Sequence, residues 1–558
     1  MGVLRAGPET EPPSGEAAGP GGTPPEWSAR RRRWIEVAAF VLAAAALFTV
    51  YLRLSRTVPQ NSDQANILLD ASDLWHGNLL LHGWYLTDVS FYTTELPQYA
   101  LLEMLFGVHV NTSHIAAAMT YTLVVVLAVL LARGGFTSRA AVTRMLITAG
   151  ILLAPELGAG VKALILTVGH IGTAVPVLLI FLLLDRAPRR WWVPALTGLG
   201  LAWVLIADQL VLIVGVIPLA LVCALRVAEA AVRERSLSRG FAARRYELSL
   251  IVAAGVAAGF AWVVERVLRA LGGYILSPVP FKFTFGHLTA GLHSLWAVLQ
   301  IFGADYRGLT GGPYYTALLH LVSVALVGLA LVVVAWRFFA GTALVDQVLA
   351  VAIVANVALF VVTTAGSEGP HEIAVVAPFG AALAGRMLAG QGAKARQQQA
   401  GARAGSTLAR RARLGAALAG VVVLLGYLGG LVHEVVQPAS PPAFARVASW
   451  LQAHHLRYGL GGYWESSIVT VQTDGRVKVR ALLKATLAPD LWLAKPEWYD
   501  PADQQANFVL LSSTPGFTNN WEPRALISKY FGRPAQVYNF GPYTVMVWDR
   551  NILSDLPP

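Results

Sequence analysis

ARRRRWIEVAAFVLAAAALFTVYL, residues 29–52, sets four consecutive arginines against sixteen residues without a charge, Val37 to Leu52. A run of roughly 17–25 apolar residues is long enough to cross the hydrocarbon core of a bilayer. Lys and Arg gather on the cytoplasmic side of such spans. The stretch therefore opens a membrane domain and places the N-terminus in the cytoplasm. Outward along the chain the alternation recurs. Arg133, Arg139 and Arg144 follow the next apolar run, and Arg186, Arg189 and Arg190 form a further cluster. Arg226, Arg233, Arg235, Arg239, Arg244 and Arg245 fill another connection, and Lys394 to Arg413 one more. The connections between these clusters are nearly free of Lys and Arg.

Length and charge alternation predict about eleven spans, near 35–53, 114–132, 143–158, 171–185, 192–207, 209–226, 248–269, 315–336, 345–363, 373–389 and 413–433. The fifth and sixth share one apolar run, split near Asp208 because an acid in mid-membrane is costly. The composition agrees: 55% of the 558 residues are hydrophobic and only 13% charged. The net charge of +11 sits where it orients the spans, which argues against a nucleic-acid partner. The single cysteine, Cys223, allows neither an intrachain disulfide nor a Cys-based metal site.

The expected organisation has three parts. Residues 1–33 are a Pro- and Gly-rich cytoplasmic tail, expected to be disordered. With so long a polar lead, the first span reads as an uncleaved anchor. Residues 34–436 are the transmembrane domain, with a first outer loop at 54–113. Beyond Pro438, Pro441 and Pro442 the composition changes, and residues 437–558 read as a small extracytoplasmic α/β domain. There ARVASWLQAHHL (445–456) has helical spacing, and FVLLSS (508–513) and YTVMVWD (543–549) read as strands. SIVTV, TDG and RVKVRAL read as a hairpin. No internal repeat is visible, which gives a two-halves transporter no support.

The first outer loop opens with SDQANILLDASDLWHGN, 62–78. On a helix, Asp63, Asp70 and Asp73 fall within about 80° of one another, beside Ile67, Ala71, Leu74 and Trp75. This predicts an amphipathic helix along the outer membrane surface, with Asn61 and Gln64 as a capping pair. Two readings of Asp63 stand side by side. A first-turn carboxylate interacts favourably with the helix dipole, by roughly 0.3–1 kcal/mol. Alternatively, Asp63 faces a cavity as a general base, which requires hydrogen-bond reach to its proton. Asp70 and Asp73 are expected to be the solvated face.

The continuation GNLLLHGWYLTDVSFYTTELPQYALLEMLFG (77–107) makes the whole loop resemble the first outer loop of the GT-C glycosyltransferases, polytopic enzymes that use polyprenyl-phosphate-linked sugars. The basic inner loops, the long outer loop after the seventh span and GGYWESSIVTVQTDGRVKV (461–479) extend the likeness. The resemblance implies transfer of a sugar, with inversion, from a polyprenyl-phosphate donor to an extracytoplasmic glycan, lipid or protein acceptor. Asp63 matches the position of the family's catalytic acid; the usual second acid is replaced by Gln64. Glu95, in TTELP, is a candidate polar partner or a first-turn helix acid.

A departing lipid phosphate needs cations or hydrogen-bond donors around it. The outer candidates are Lys282, His287, His293, Arg307 and His371, with Lys162 and His170 from the loop between spans three and four. Lys282 and Arg307 serve equally well as interfacial anchors. No cofactor is expected, and no metal ligand set is assigned. Expected partners are the lipid-linked donor, the acceptor and membrane lipids, in a bacterial plasma membrane. A transporter, kept open by Asp208 and Glu156, and a non-catalytic cell-envelope binding protein are the competing readings.

Overall fold

The computed structural model describes residues 26–135, 139–155, 169–277, 282–283, 293–365, 369–399, 407–513 and 520–557. The chain divides into two compact units, Met1–Leu47 and Phe48–Pro558, with the boundary inside the first helix, α1 (Glu26–Ser55). In the first unit α1 leaves Trp34, Ile35, Val41 and Leu42 exposed, an apolar surface suited to lipid.

The second unit is mostly helical. Two short helices, α2 (Ser62–Trp75) and α3 (Glu95–Phe106), fill the first long loop. Apolar helices follow: α4 (Val110–Arg133), α5 (Arg139–Leu153), α6 (Ala174–Arg186), α7 (Trp192–Ala207) and α8 (Ile217–Arg233). After the short α9 (Leu237–Ala243) come α10 (Arg245–Ala270), α11 (Trp296–Ile301), α12 (Gly311–Trp336), α13 (Leu344–Val362), α14 (Val376–Gln399) and α15 (Thr407–Val435). Among the described residues each expected span overlaps a helix, and seven helices are long and apolar enough to cross a membrane by length and composition.

Local chemistry explains the main break. α7 stops at Ala207, and Asp208 is extended, with φ −148° and ψ 112°. Pro218 then opens α8. Proline lacks an N–H and its ring crowds the carbonyl four residues back, so the turn before it, Leu212–Val216, widens to π-helical geometry. Inside the bundle α4 buries Ala116, Ala117, Ala118 and Ala128, small side chains that let neighbouring helices approach closely. Arg386 of α14 ties three more helices together. It bonds the Leu131 carbonyl at 2.8 Å and pairs with Asp185 at 2.8 Å and with Asp346.

The C-terminal segment builds a five-stranded mixed sheet in the order β4-β3-β5-β7-β6. The strands are β3 (Tyr458–Gly461), β4 (Lys478–Ala481), β5 (Phe508–Ser512), β6 (Gln536–Phe540) and β7 (Tyr543–Val547). Its helices are α16 (Ala445–Ala453), α17 (Tyr463–Gln472) and α18 (Arg524–Phe531). The expected hairpin is corrected here. SIVTV lies in α17, and β4 runs parallel to β3 across that helix. Parallel neighbours need a crossover, and α17 supplies it. Residues 465–471 are all buried, so packing on every side overrides the strand preference of Ile468, Val469 and Val471.

A second correction concerns α2. It does not present an open polar face: it lies between α3 and α17, and Ser62, Gln64, Asn66 and Asp70 are buried. Ile67, Leu68, Leu96 and Tyr99 share one core with Ile468, Val471 and Leu493 of the C-terminal segment. Each such aliphatic side chain contributes about 1.5–3 kcal/mol when fully buried. Strand β1 (Tyr85–Leu86) adds to the same seam. It pairs in parallel with β2 (Ile275–Leu276) and exchanges backbone bonds with Ala494 at 2.9 and 3.1 Å. The first loop is thus clamped under the C-terminal sheet, on what we term the domain face.

Candidate functional site

The N-terminus of α2 is capped as its sequence predicts. The Asn61 side chain accepts from the Asp63 N–H at 2.9 Å, and Gln64 Oε1 accepts from the Asn61 N–H at 2.9 Å. This capping box fixes Asp63 in the first turn, half-buried. Ser62 then ties α2 to α17, donating to the Trp464 carbonyl at 3.0 Å. The tie brings Tyr463, the first residue of α17, over Asp63. Tyr463 Oη donates to Asp63 Oδ1 at 2.7 Å and accepts from Asn66 Nδ2 at 3.2 Å.

Gly462, just before α17, packs against Glu465 and the Trp521 ring. A Cβ there would lie 2.4 Å from Glu465 Oε2 and 2.6 Å from the Trp521 ring. Burial pushes the Asp63 carboxyl above its ordinary value, while the bond from Tyr463 and the nearby charge of His371 pull it back.

A second constellation occupies the same face. His170 Nδ1 lies 2.7 Å from Asp208 Oδ2, and its Nε2 lies 3.4 Å from Glu372 Oε2. Glu372 also meets His371 at 3.3 Å. Thr173 Oγ1 donates to Asp208 Oδ2, and the Leu210 N–H donates to Oδ1 at 2.8 Å. Burial opposes charge on all three inner groups, but their mutual attraction prevails. His170 is held well above its usual value, and Asp208 and Glu372 below theirs. A charged imidazole between two carboxylates therefore locks the turn Pro370–Ile373, and that turn carries His371 toward Asp63.

Glu95 stands at the edge of this cluster, at the start of α3. It is 2% exposed, and burial lifts its carboxyl to about 7. Thr94 Oγ1 donates to Oε2, while Oε1 has no hydrogen-bond partner among the described residues. It borders a cavity of about 210 Å³ lined with Gln98, Thr120, Gly172 and Trp203. Asp88 also belongs here; burial raises its carboxyl, and His170, Glu372 and Asp208 act on it electrostatically.

The remaining candidates are placed less centrally. Lys282 is exposed, and its backbone exchanges bonds with Thr364 in the connection that leads to His371. Arg307 is committed elsewhere, 3.1 Å from Asp305 and 4.0 Å over the Trp296 ring. His293 is exposed at the start of the segment leading to α11. Lys162, His287 and Glu156 lie outside the described residues. Among the described residues, no group of three or more His, Cys, Asp and Glu is arranged to hold a metal ion.

Asp73 and Asp70 differ from expectation. Asp73 pairs with Lys495 at 2.7 Å and accepts from Trp84 Nε1 at 2.8 Å. Asp70 is 2% exposed, and burial, with Asp73 beside it, raises its carboxyl well above normal. The reason is the cover that α17 and the Lys495 segment lay over α2. Asp88, and the pairing of Tyr463 with Asp63, have no local signature in the sequence, because each acts through chain far away.

No protein-family model matches the chain, and neither does any curated protein. Solved structures do. ArnT from Cupriavidus metallidurans, bound to undecaprenyl phosphate, superposes with a TM-score of 0.54 at 14% identity. The match covers 94% of this chain and 99% of ArnT. The Archaeoglobus fulgidus oligosaccharyltransferase gives 0.47 with a tethered acceptor peptide and 0.47 in its apo form, at 13% and 14% identity. Those matches cover 86% and 85% of this chain and 70% and 69% of the other. The chain is a multi-pass membrane protein with a small C-terminal α/β segment. Over nearly the full length of both chains, its fold is that of ArnT.

Proposed function

We propose that this chain is a glycosyltransferase that moves a sugar from a polyprenyl-phosphate donor to an acceptor on the domain face, which we take as the extracytoplasmic side. The observation that carries the reading is the Asp63 carboxylate. It is half-buried, raised in basicity, and fixed through one oxygen by Tyr463 at 2.7 Å. Asn61 also hydrogen-bonds this carboxyl through its side chain.

In this mechanism the Asp63 carboxylate takes the proton of the acceptor hydroxyl as that oxygen attacks the anomeric carbon. The new glycosidic bond forms as the bond to the phosphate oxygen breaks, and the electron pair leaves with polyprenyl phosphate. Attack opposite the leaving group inverts the anomeric centre. A carboxylate held above its ordinary value is a stronger base, as general-base catalysis needs. His371 and Lys282 are assigned to the departing phosphate, whose growing charge is the main demand on the site. His170, Asp208 and Glu372 position His371. Glu95, protonated for much of the time near neutrality, donates to sugar hydroxyls from the wall of its cavity. No step requires Arg307, which Asp305 already neutralises.

The same Asp208–His170 pair is what a proton-coupled transporter would display. Its place at the end of α7, joined to the turn that carries His371, favours a structural role. The test is transfer itself. Purified chain is given a panel of radiolabelled polyprenyl-phosphate sugars, and released polyprenyl phosphate is measured with and without candidate acceptors. Release from at least one donor, dependent on acceptor, supports the reading; donor uptake into vesicles without cleavage refutes it.

A further inference from the structure

The face opposite the C-terminal sheet holds a cleft of about 460 Å³ between α6, α8, α10 and the α12–α13 turn. Arg189, Arg226, Arg233, Arg244, Tyr246 and Phe339 are on its wall. Two wall carboxylates are already matched, Asp185 by Arg386 at 2.8 Å and Glu229 by Arg233 at 2.7 Å. Arg189, Arg226 and Arg244 all depend on one buried carboxylate, Glu247, at 3.9, 3.8 and 3.1 Å. Among the described residues, three guanidiniums on one carboxylate leave two positive charges unanswered in a partly enclosed space.

Their donors are not used up. Arg226 is anchored to Gln347 and the Thr342 carbonyl, but the Arg189 side chain is 61% exposed and that of Arg244 26%. Planar guanidiniums with free N–H groups match phosphate oxygens in pairs. The surroundings add a second argument. Trp191 and Trp336, 85% and 84% exposed, stand at helix ends on this same face, with Phe339 on the cleft wall. Exposed tryptophans at helix ends mark the headgroup level of a bilayer. Basic pockets between helices at that level suit anionic lipid headgroups.

We infer that this cleft binds a phosphate-bearing anion through Arg189, Arg226 and Arg244, and that its occupant is the headgroup of an anionic phospholipid. The inference is independent of the proposed transfer chemistry, which belongs to the other face.

Full-length chain is reconstituted in nanodiscs of phosphatidylcholine with phosphatidylglycerol, and retained lipid is counted by native mass spectrometry. One phosphatidylglycerol is expected to stay bound. The double variant Arg189→Gln/Arg244→Gln lowers its retention at least tenfold. Arg235→Gln/Arg239→Gln removes equal charge from the exposed connection on the same face and leaves retention unchanged. Glu247→Gln enlarges the charge surplus and strengthens retention, so the two substitutions act in opposite directions. Equal loss in both arginine variants, or equal retention of phosphatidylcholine, overturns the inference. Titration with inorganic phosphate separates the sources. Displacement of the lipid by millimolar phosphate assigns the cleft to a soluble anion and overturns the lipid occupant; persistence of the lipid supports it.

Discussion

Tyr463 Oη donates to Asp63 Oδ1 at 2.7 Å, joining the first turn of α17 to the first turn of α2 across 400 residues of sequence. The bond both aims the carboxylate and holds its proton affinity down against burial. A hydrogen bond to a charged group is worth about 1.5–3 kcal/mol, so Tyr463→Phe is expected to lower transfer roughly 10- to 100-fold. Because the lost bond favoured the charged form, the carboxyl rises further and the acidic limb of the pH–rate profile moves to higher pH. An unshifted limb would separate Tyr463 from the base.

Asp208→Asn removes the main partner of His170. Breaking a buried pair costs about 3–5 kcal/mol. The pH dependence carries the sign. His170 is raised in the folded chain, so its contribution is full below its unfolded value, about 6.5, and fades as pH rises through the raised value. Asp208 and Glu372 are lowered, so theirs is present above about 4 and lost as pH falls through the depressed values. Thermal melts from pH 5 to 9 should show the largest gap between parent and variant near pH 5–6.5, narrowing upward. A constant gap would contradict the charged-imidazole assignment.

Glu95 shares the sign of His170 and opposes that of Asp208 and Glu372. Its folded value of about 7 lies above the ordinary 4.5, so its contribution is lost as pH rises through neutrality. Glu95→Gln keeps the shape without the charge. It should melt close to the parent at pH 5 and above it at pH 8, by an amount on the order of 3 kcal/mol at most. Equal melting at both pH values would show that Glu95 is solvated.

Gly172→Ala tests how tightly that carboxyl is held. An added Cβ would lie 1.7 Å from Glu95 Oε1. Overpacking of this kind costs about 1–3 kcal/mol. The loss should shrink in the double variant with Glu95→Ala, measured by thermal melting. Additive losses would place the strain elsewhere.

Much of the architecture was legible because it rests on local rules. Arginine clusters and apolar lengths located the helices, Asp208 marked the α7–α8 break, and Asn61 with Gln64 announced the α2 cap. What stayed hidden depends on chain distant in sequence. The run Ser467–Val471 has strand-forming residues, yet it is helical because α2 and the sheet enclose it. Asp70 and Asp73 look solvated on a helical wheel, which contains no Lys495 and no α17. Nothing local links Tyr463 to Asp63; the fold alone sets one on the other.

The central claim is that Asp63 is the base. The decisive measurement is turnover of purified Asp63→Asn with the polyprenyl-phosphate sugar that the parent uses, alongside its thermal melt. Loss of a general base costs about 10²- to 10⁴-fold, and that fall is expected with donor binding and melting temperature near those of the parent. Near-parental turnover by a folded Asp63→Asn chain would contradict the account.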